Sequence, residues 1–217
     1  MGKIVAIDGP AGSGKGTVAK ILANQCNFTY IDTGAMYRAI AYATLKNNID
    51  IKDIDGIIQL ANKSKIEFID GKTYLNKVDI SKEIRTMEVT RIVSPISSIV
   101  KLREILVDMQ RKMGENTENG VVMEGRDITT VVFPNADYKF YLDATLDERA
   151  NRRYKENIEK GMDVSIEEIK ENISKRDYND MHKEIGSLTR TEDSIYIDST
   201  NLTIDEVVER IKNVIEV

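Results

Sequence analysis

Three observations in the sequence predict an α/β fold, a five-stranded parallel sheet flanked by helices. Short apolar runs alternate with stretches of helical periodicity through most of the 217 residues. The first run, Ile4-Val5-Ala6-Ile7, feeds a glycine-rich loop, Asp8 to Thr17 (DGPAGSGKGT), which opens into the helical pattern Val18 to Ala23. A polar hairpin pattern around Asp70-Gly71 interrupts the alternation and predicts an inserted lobe.

Length and composition suit one such domain. With 41% hydrophobic residues the chain can build a core, and 31% charged residues suit a solvated surface. A net charge of −5 argues against general binding to nucleic acid or a membrane surface, so an anionic ligand must meet a local basic cluster. The single Cys26 rules out an internal disulfide and any cysteine-cluster metal site, and the only histidine, His182, lies far along the chain. No apolar run approaches membrane-spanning length, and the N-terminus enters a strand at once with no signal peptide. The expectation is a cytoplasmic monomer with no membrane or nucleic-acid partner.

Strand, glycine-rich loop and helix in that order form the context of a phosphate loop, hence a P-loop NTPase fold. Gly9, Gly12 and Gly14 let the backbone curl so that successive N–H groups point into one hollow at a positive helix end. With Pro10, Ala11, Ser13, Gly16 and Thr17 they would cradle a polyphosphate, and Lys15 would reach its β- and γ-phosphates. The position after the lysine is Gly16, where a hydroxyl normally ligates Mg²⁺. The metal is therefore expected on phosphate oxygens and water, with Thr17 on a nearer phosphate.

The first helix should run to about Gln25, and Phe28 to Asp32 reads as a second strand. Thr33 to Lys46 is again helical, which puts Thr33 and Arg38 beyond a strand end, beside the phosphate loop and in reach of a second ligand. Asp53 to Ser64 reads as an amphipathic helix, and Lys65 to Ile69 with Thr73 to Leu75 as a hairpin turning at Asp70-Gly71. Asn76-Lys77-Val78-Asp79 and Asp53-Ile54-Asp55-Gly56 spell guanine-nucleotide signatures. Those signatures belong at the ends of long buried strands, and here one falls in a hairpin and the other in a helical pattern. A GTPase reading is therefore set aside.

Ile80 to Met113 is helical in pattern, with Pro95 expected to start its long final helix. Val121 to Glu124 is a buried strand ending in a carboxylate, where phosphate-loop enzymes orient the Mg²⁺ shell, and Glu124 would act there through water. Arg126 and Asp127 follow on the loop at the ligand edge. Lys139 to Asp143 is a fourth strand, and the helix after it is dense in arginine. Arg149 and Arg153 share a face at i,i+4, spaced for two guanidiniums on one phosphate; Glu156 and Glu159 offer an ordinary salt-bridged face instead. Gly161-Met162-Asp163 should break this helix, and Ser165 to Glu168 is a capping box for the next, which runs to Asp180. Asp193 to Asp198 is the fifth strand, and Thr203 starts a last helix to Val217.

Taken in order, DGPAGSGKGT, DTGAMYR, ISKEIR, KLREILVDMQR, EGRDI, LDERANRR, KRDYND and YIDST resemble the bacterial cytidylate kinases over nearly the whole chain. The resemblance implies a nucleoside monophosphate kinase that transfers the γ-phosphoryl group of ATP, with Mg²⁺, to CMP or dCMP. It implies a core of residues 1–33, 114–148 and 188–217, a monophosphate-binding insert at 34–113 and a lid at 149–187. It puts Thr33 near the acceptor nucleotide, Arg38 and Arg126 on its phosphate, and Ser94 and Arg103 at the cytosine edge. Asp127 falls on the acceptor side, Arg176 and Asp180 at the ribose, and Arg149 and Arg153 near the transferring phosphate. Two departures stand out: Lys183 puts a point charge on the substrate where the family has an arginine fork at the base or phosphate, and Glu124 and Thr129 stand where Asp and Gly are commoner. Two alternatives stay open. One is a related kinase acting on UMP or AMP; the other is an ATP-binding module without turnover.

Overall fold

The computed structural model describes residues 2–159, 161 and 163–215. Five parallel strands form the main sheet in the order β2-β6-β1-β7-β8: β1 (Lys3–Asp8), β2 (Thr29–Asp32), β6 (Gly120–Gly125), β7 (Tyr138–Asp143) and β8 (Ile195–Asp198). Alternation along these strands divides the core between two faces. Val5, Ile7, Val122, Phe140, Leu142 and Ile197 pack with α1 (Lys15–Cys26) and α8 (Ile204–Ile215). Ala6, Ile31, Val121 and Met123 face the opposite layer, built from α2 (Thr33–Lys46), α3 (Ile54–Lys63), α4 (Met87–Ser97) and α5 (Val100–Glu115). The sheet so buried delivers β1, β2 and β6 to one edge with their carboxyl ends side by side, Asp8 opposite Gly125 and Asp32 opposite Glu124.

A second, antiparallel sheet has three strands, β3 (Ile66–Ile69), β4 (Lys72–Leu75) and β5 (Val78–Asp79). The sequence showed only the first two. Asn76 and Lys77 both take left-handed backbone, at φ 51° and 70°, and make the tight turn that adds the third strand. Asp53 caps α3 by accepting from Gly56 N–H at 2.9 Å. The two guanine-like tetrapeptides are thus a turn and a helix cap.

Between Ile80 and Met113 the expected breaks move. Ser81 to Arg85 contributes a single 3-10 turn, Glu83–Arg85, and Pro95 lies inside α4 rather than starting α5. Proline's fixed φ suits helical backbone, and the cost is the bond its missing N–H would have made together with the crowding of its ring on the carbonyl four residues before. The chain then leaves the helix at Ser98 and Ile99. Two helices follow β7, α6 (Leu146–Glu159) and α7 (Ile166–Met181), with Ser165 Oγ accepting from Glu168 N–H at 3.1 Å as its capping box requires. Met162, expected in the break between them, and Val217, expected to end the last helix, lie outside the described residues.

Candidate active site

The phosphate loop owes its shape to glycine at two left-handed positions, Gly12 at φ 78° and Gly14 at φ 87°. Gly14 caps α1, and Val18 N–H returns to Gly14 O at 3.0 Å, so the amides of the preceding turn have no intrahelical acceptor. Gly9 presses on Leu142 O so closely that a Cβ there would overlap it, which seats the loop on β7. Lys15 is buried, donates to Pro10 O at 3.1 Å, and lies 4.0 Å from Glu124 Oε2. Burial lowers the Lys15 pKa, and the nearby Arg126 adds to that against the pull of Glu124. Burial pushes Glu124 up, and Asp32 beside it adds to the rise. Pro10, Ala11 and Ser13 are buried with the loop, whereas Thr17 is exposed at its margin. A side chain at Gly16 would come within 3.2 Å of Glu124 Oε1, so the long carboxylate occupies the space beside the missing hydroxyl.

Beyond Glu124 lies a group of cations. Arg38, on α2, donates to Thr90 Oγ1 at 2.9 Å and Ile84 O at 3.3 Å. Its pKa is lowered by burial first and then by Arg85, Arg153 and Arg126, so these charges share one field. Arg126 donates from Nε to Asp180 Oδ2 at 2.8 Å. Burial opposes its charge, but Asp180, Glu124 and Asp177 hold it above the ordinary arginine value. Asp180 also accepts from Lys183 Nζ at 2.9 Å and has Arg176 Nε at 3.9 Å. Arg176 has a half-exposed side chain, yet the burial of its inner part, followed by the charges of Arg126, Arg38 and Arg153, brings its pKa down to about 10. Thr33 sits at the same edge, its hydroxyl donating to Glu124 O at 2.8 Å.

The two residues expected on one helix face diverge. Arg149 is buried on the phosphate loop, donating to Ala144 O and Ala11 O at 2.9 Å each and to Asp177 Oδ2 at 2.5 Å. Arg153 is half exposed and pairs with Glu156 at 3.0 Å, the ordinary surface bridge the sequence also allowed. Arg103 and Asp127 form a buried ion pair, with the guanidinium over the Tyr37 ring at 5.5 Å from its centroid. Gly186 lies against that pair at φ 66°. Among the described residues no hydrogen bond joins Ser94 directly to Arg103. Ser94 is exposed in a groove of about 530 Å³ with Tyr178, His182 and Lys183, and is linked inward through Ser97, which donates to Ser94 O at 2.9 Å and accepts from Arg103 at 3.1 Å.

Four residues escaped the sequence reading. Asp177 accepts from Ala11 N–H at 3.3 Å, tying α7 to the phosphate loop. Arg152 joins Ser13 O at 3.3 Å to Ser199 O at 2.6 Å, and Arg85 pairs with Asp32 at 3.3 Å. Asp8 is wholly buried and accepts from Ile128 and Thr129. Each lies inside a motif that was quoted, so position in the motif was a signal; the partners, 47 or more residues away in sequence, were not.

Solved structures with the same fold include a shikimate kinase from Bacteroides thetaiotaomicron, with a TM-score of 0.51 at 12% identity over 99% of both chains. Another is TT1252 from Thermus thermophilus, with a TM-score of 0.52 at 16% identity over 99% of this chain and 96% of that one. These likenesses concern fold alone. Sequence relatives are much nearer. A cytidylate kinase of Clostridioides difficile is 49% identical over 96% of this chain and 95% of its own. One from Streptococcus pneumoniae is 48% identical over the same shares. The family model described as cytidylate kinase matches residues 5–217. The chain belongs to the cytidylate kinase family.

Proposed function

We propose that this chain is a cytoplasmic, monomeric enzyme that moves the γ-phosphoryl group of ATP onto the phosphate of CMP or dCMP, giving ADP and CDP or dCDP. One observation carries the reading: two anion sites meet at a single sheet edge. The amide-lined loop with Lys15 faces, across Glu124, the group made by Arg38, Arg126 and Arg176. In-line phosphoryl transfer asks a protein for positioning and charge cancellation more than for covalent chemistry.

Residues 9–17 hold the donor, and Lys15, kept short of its full proton affinity by burial, regains it against the phosphates. Arg38 and Arg126 fix the acceptor phosphate, whose oxygen is anionic at neutral pH and needs no general base. Thr33, Arg176 and Asp180 position the acceptor sugar side, and Lys183 braces Asp180. Arg103 with Asp127, and Ser94 through Ser97, read the base. Arg149 anchors the lid, residues 149–187, to the loop, and Arg153 exchanges Glu156 for the transferring phosphate as the lid closes over the insert, residues 34–113. Closure excludes the water that would hydrolyse ATP.

Mg²⁺ fits this site as an ion carried by ATP. Among the described residues no group of three or more His, Cys, Asp or Glu side chains is placed to hold it alone. Glu124, with Asp32 beside it, would hold its water shell, and Gly16 leaves that carboxylate the room. When bound, the ion neutralises charge on the phosphate oxygens.

The test is ADP production from ATP with CMP, dCMP, UMP and AMP in turn. Turnover with the cytidine nucleotides well above the others is expected. A preference for UMP or AMP, or ATP binding without CMP-dependent ADP release, would sink the proposal.

A further inference from the structure

One feature of the sequence, Thr129 in place of the commoner glycine, has no part in the reading above. In the fold it meets Asp8, the first residue of the phosphate loop and the last of β1. The Asp8 side chain is fully buried. Its Oδ1 accepts from Ile128 N–H at 3.0 Å, and its Oδ2 accepts from Thr129 N–H at 2.8 Å and Thr129 Oγ1 at 2.7 Å. Burial raises the Asp8 pKa, its hydrogen bonds to Thr129 and Ile128 oppose the rise, and the nearby charge that bears on it is Asp127, also negative. The carboxylate is thus held by donors alone, and one of its three donors exists only because residue 129 has a hydroxyl.

All three donors belong to the segment that directly follows Arg126 and Asp127. Asp127 O in turn accepts from Val131 N–H at 2.8 Å and Val132 N–H at 3.2 Å, which closes a wide turn over Ile128–Val132. One end of this clamp is therefore the donor loop and the other is the loop bearing the acceptor arginine. Together with the pairing of β1 with β6 and the approach of Lys15 to Glu124 at 4.0 Å, Asp8 and its donors tie the two loops directly. Reacting atoms must be brought to within about 3–3.5 Å and aligned, so slack between the two loops is felt in the rate.

We infer that Asp8 and Thr129 form a positioning pair that fixes the acceptor loop against the donor loop, setting the distance between the two nucleotides. Neither residue touches substrate. The inference rests on the phosphoryl-transfer reading above, and Thr129 is the informative position, because Asp8→Asn places an amide against donors and risks misfolding.

The experiment compares Thr129→Val with Thr129→Ser. Valine keeps the shape and removes the hydroxyl, whereas serine keeps it. Thr129→Val should lower kcat roughly tenfold, the cost expected for one hydrogen bond to a charged group, with KM for ATP unchanged. Thr129→Ser should stay within about twofold of the parent, a rescue expected if the hydroxyl bond is what matters. Amide hydrogen exchange at Ile128 and Thr129 should speed up in the valine variant and stay slow in the serine one. A purely structural role predicts a lower Tm with kcat per folded enzyme unmoved. That result, or equal losses in both variants, overturns the inference. Failure of the parent enzyme to turn over CMP at all is a separate outcome, which removes the functional reading and this inference with it.

Discussion

Asp180→Asn tests whether one buried carboxylate holds the acceptor cations in place. Its side chain is only 9% exposed, and both oxygens are engaged, by Arg126 at 2.8 Å and Lys183 at 2.9 Å, with Arg176 at 3.9 Å. Burial disfavours the charge, but Arg126, Lys183 and Arg176 outweigh it and hold the pKa at about 2, against 3.8 for an ordinary aspartate. A depressed carboxylate contributes stability that is complete above its unfolded value and disappears as pH falls through the folded one. The size of the depression corresponds to about 2 kcal/mol at neutral pH. Asparagine keeps the shape and one acceptor while removing the charge, leaving the cations facing one another. Urea unfolding at neutral pH should therefore find Asp180→Asn about 2 kcal/mol less stable, with the gap closing between about pH 4 and pH 2. Released from its Nε partner, Arg126 should also hold the acceptor phosphate less well, raising KM for CMP roughly tenfold. Equal stability of the two proteins at neutral pH would refute the reasoning. So would a gap that stays constant into acid, because it would show that the carboxylate's charge is not what is lost.

Arg126→Ala should lower kcat/KM for CMP by roughly a thousandfold while KM for ATP stays within about twofold if, as proposed, the guanidinium serves the acceptor phosphate. Comparable loss on both nucleotides would place Arg126 elsewhere in the reaction. Gly186→Ala and Gly161→Ala form a matched pair, at φ 66° and 71°, and each carries a backbone cost of about 1–2 kcal/mol. A Cβ at Gly186 also runs into Arg103 and Asp127, whereas one at Gly161 has nothing within 4 Å among the other described residues. Only Gly186→Ala should raise KM for CMP; identical kinetics in the two variants would mean that the Arg103–Asp127 pair does not bear on the base.

Taken by itself, the sequence determined the parts whose causes are local. Apolar alternation, the glycines of the phosphate loop, the Asp-Gly turn and the Ser165 capping box each act within a few residues, and the elements they specify formed within about two residues of where their letters placed them. The motifs likewise marked which residues gather at the sheet edge, because the carboxyl ends of β1, β2 and β6 are fixed once the strands are parallel. Tertiary structure alone decided the pairings. Spacing on α6 put Arg149 and Arg153 on one face, yet Arg149 turns to Ala11 and Asp177 while Arg153 turns to its neighbour Glu156. Pro95 stayed within α4, and Asn76-Lys77 turned into a third strand, because a packed lobe tolerates one missing hydrogen bond and rewards an added pair. Asp8 found Thr129 across 121 residues of chain. Hydrogen bonds and ion pairs over such separations depend on where the fold brings each buried donor and acceptor, and no local pattern encodes that.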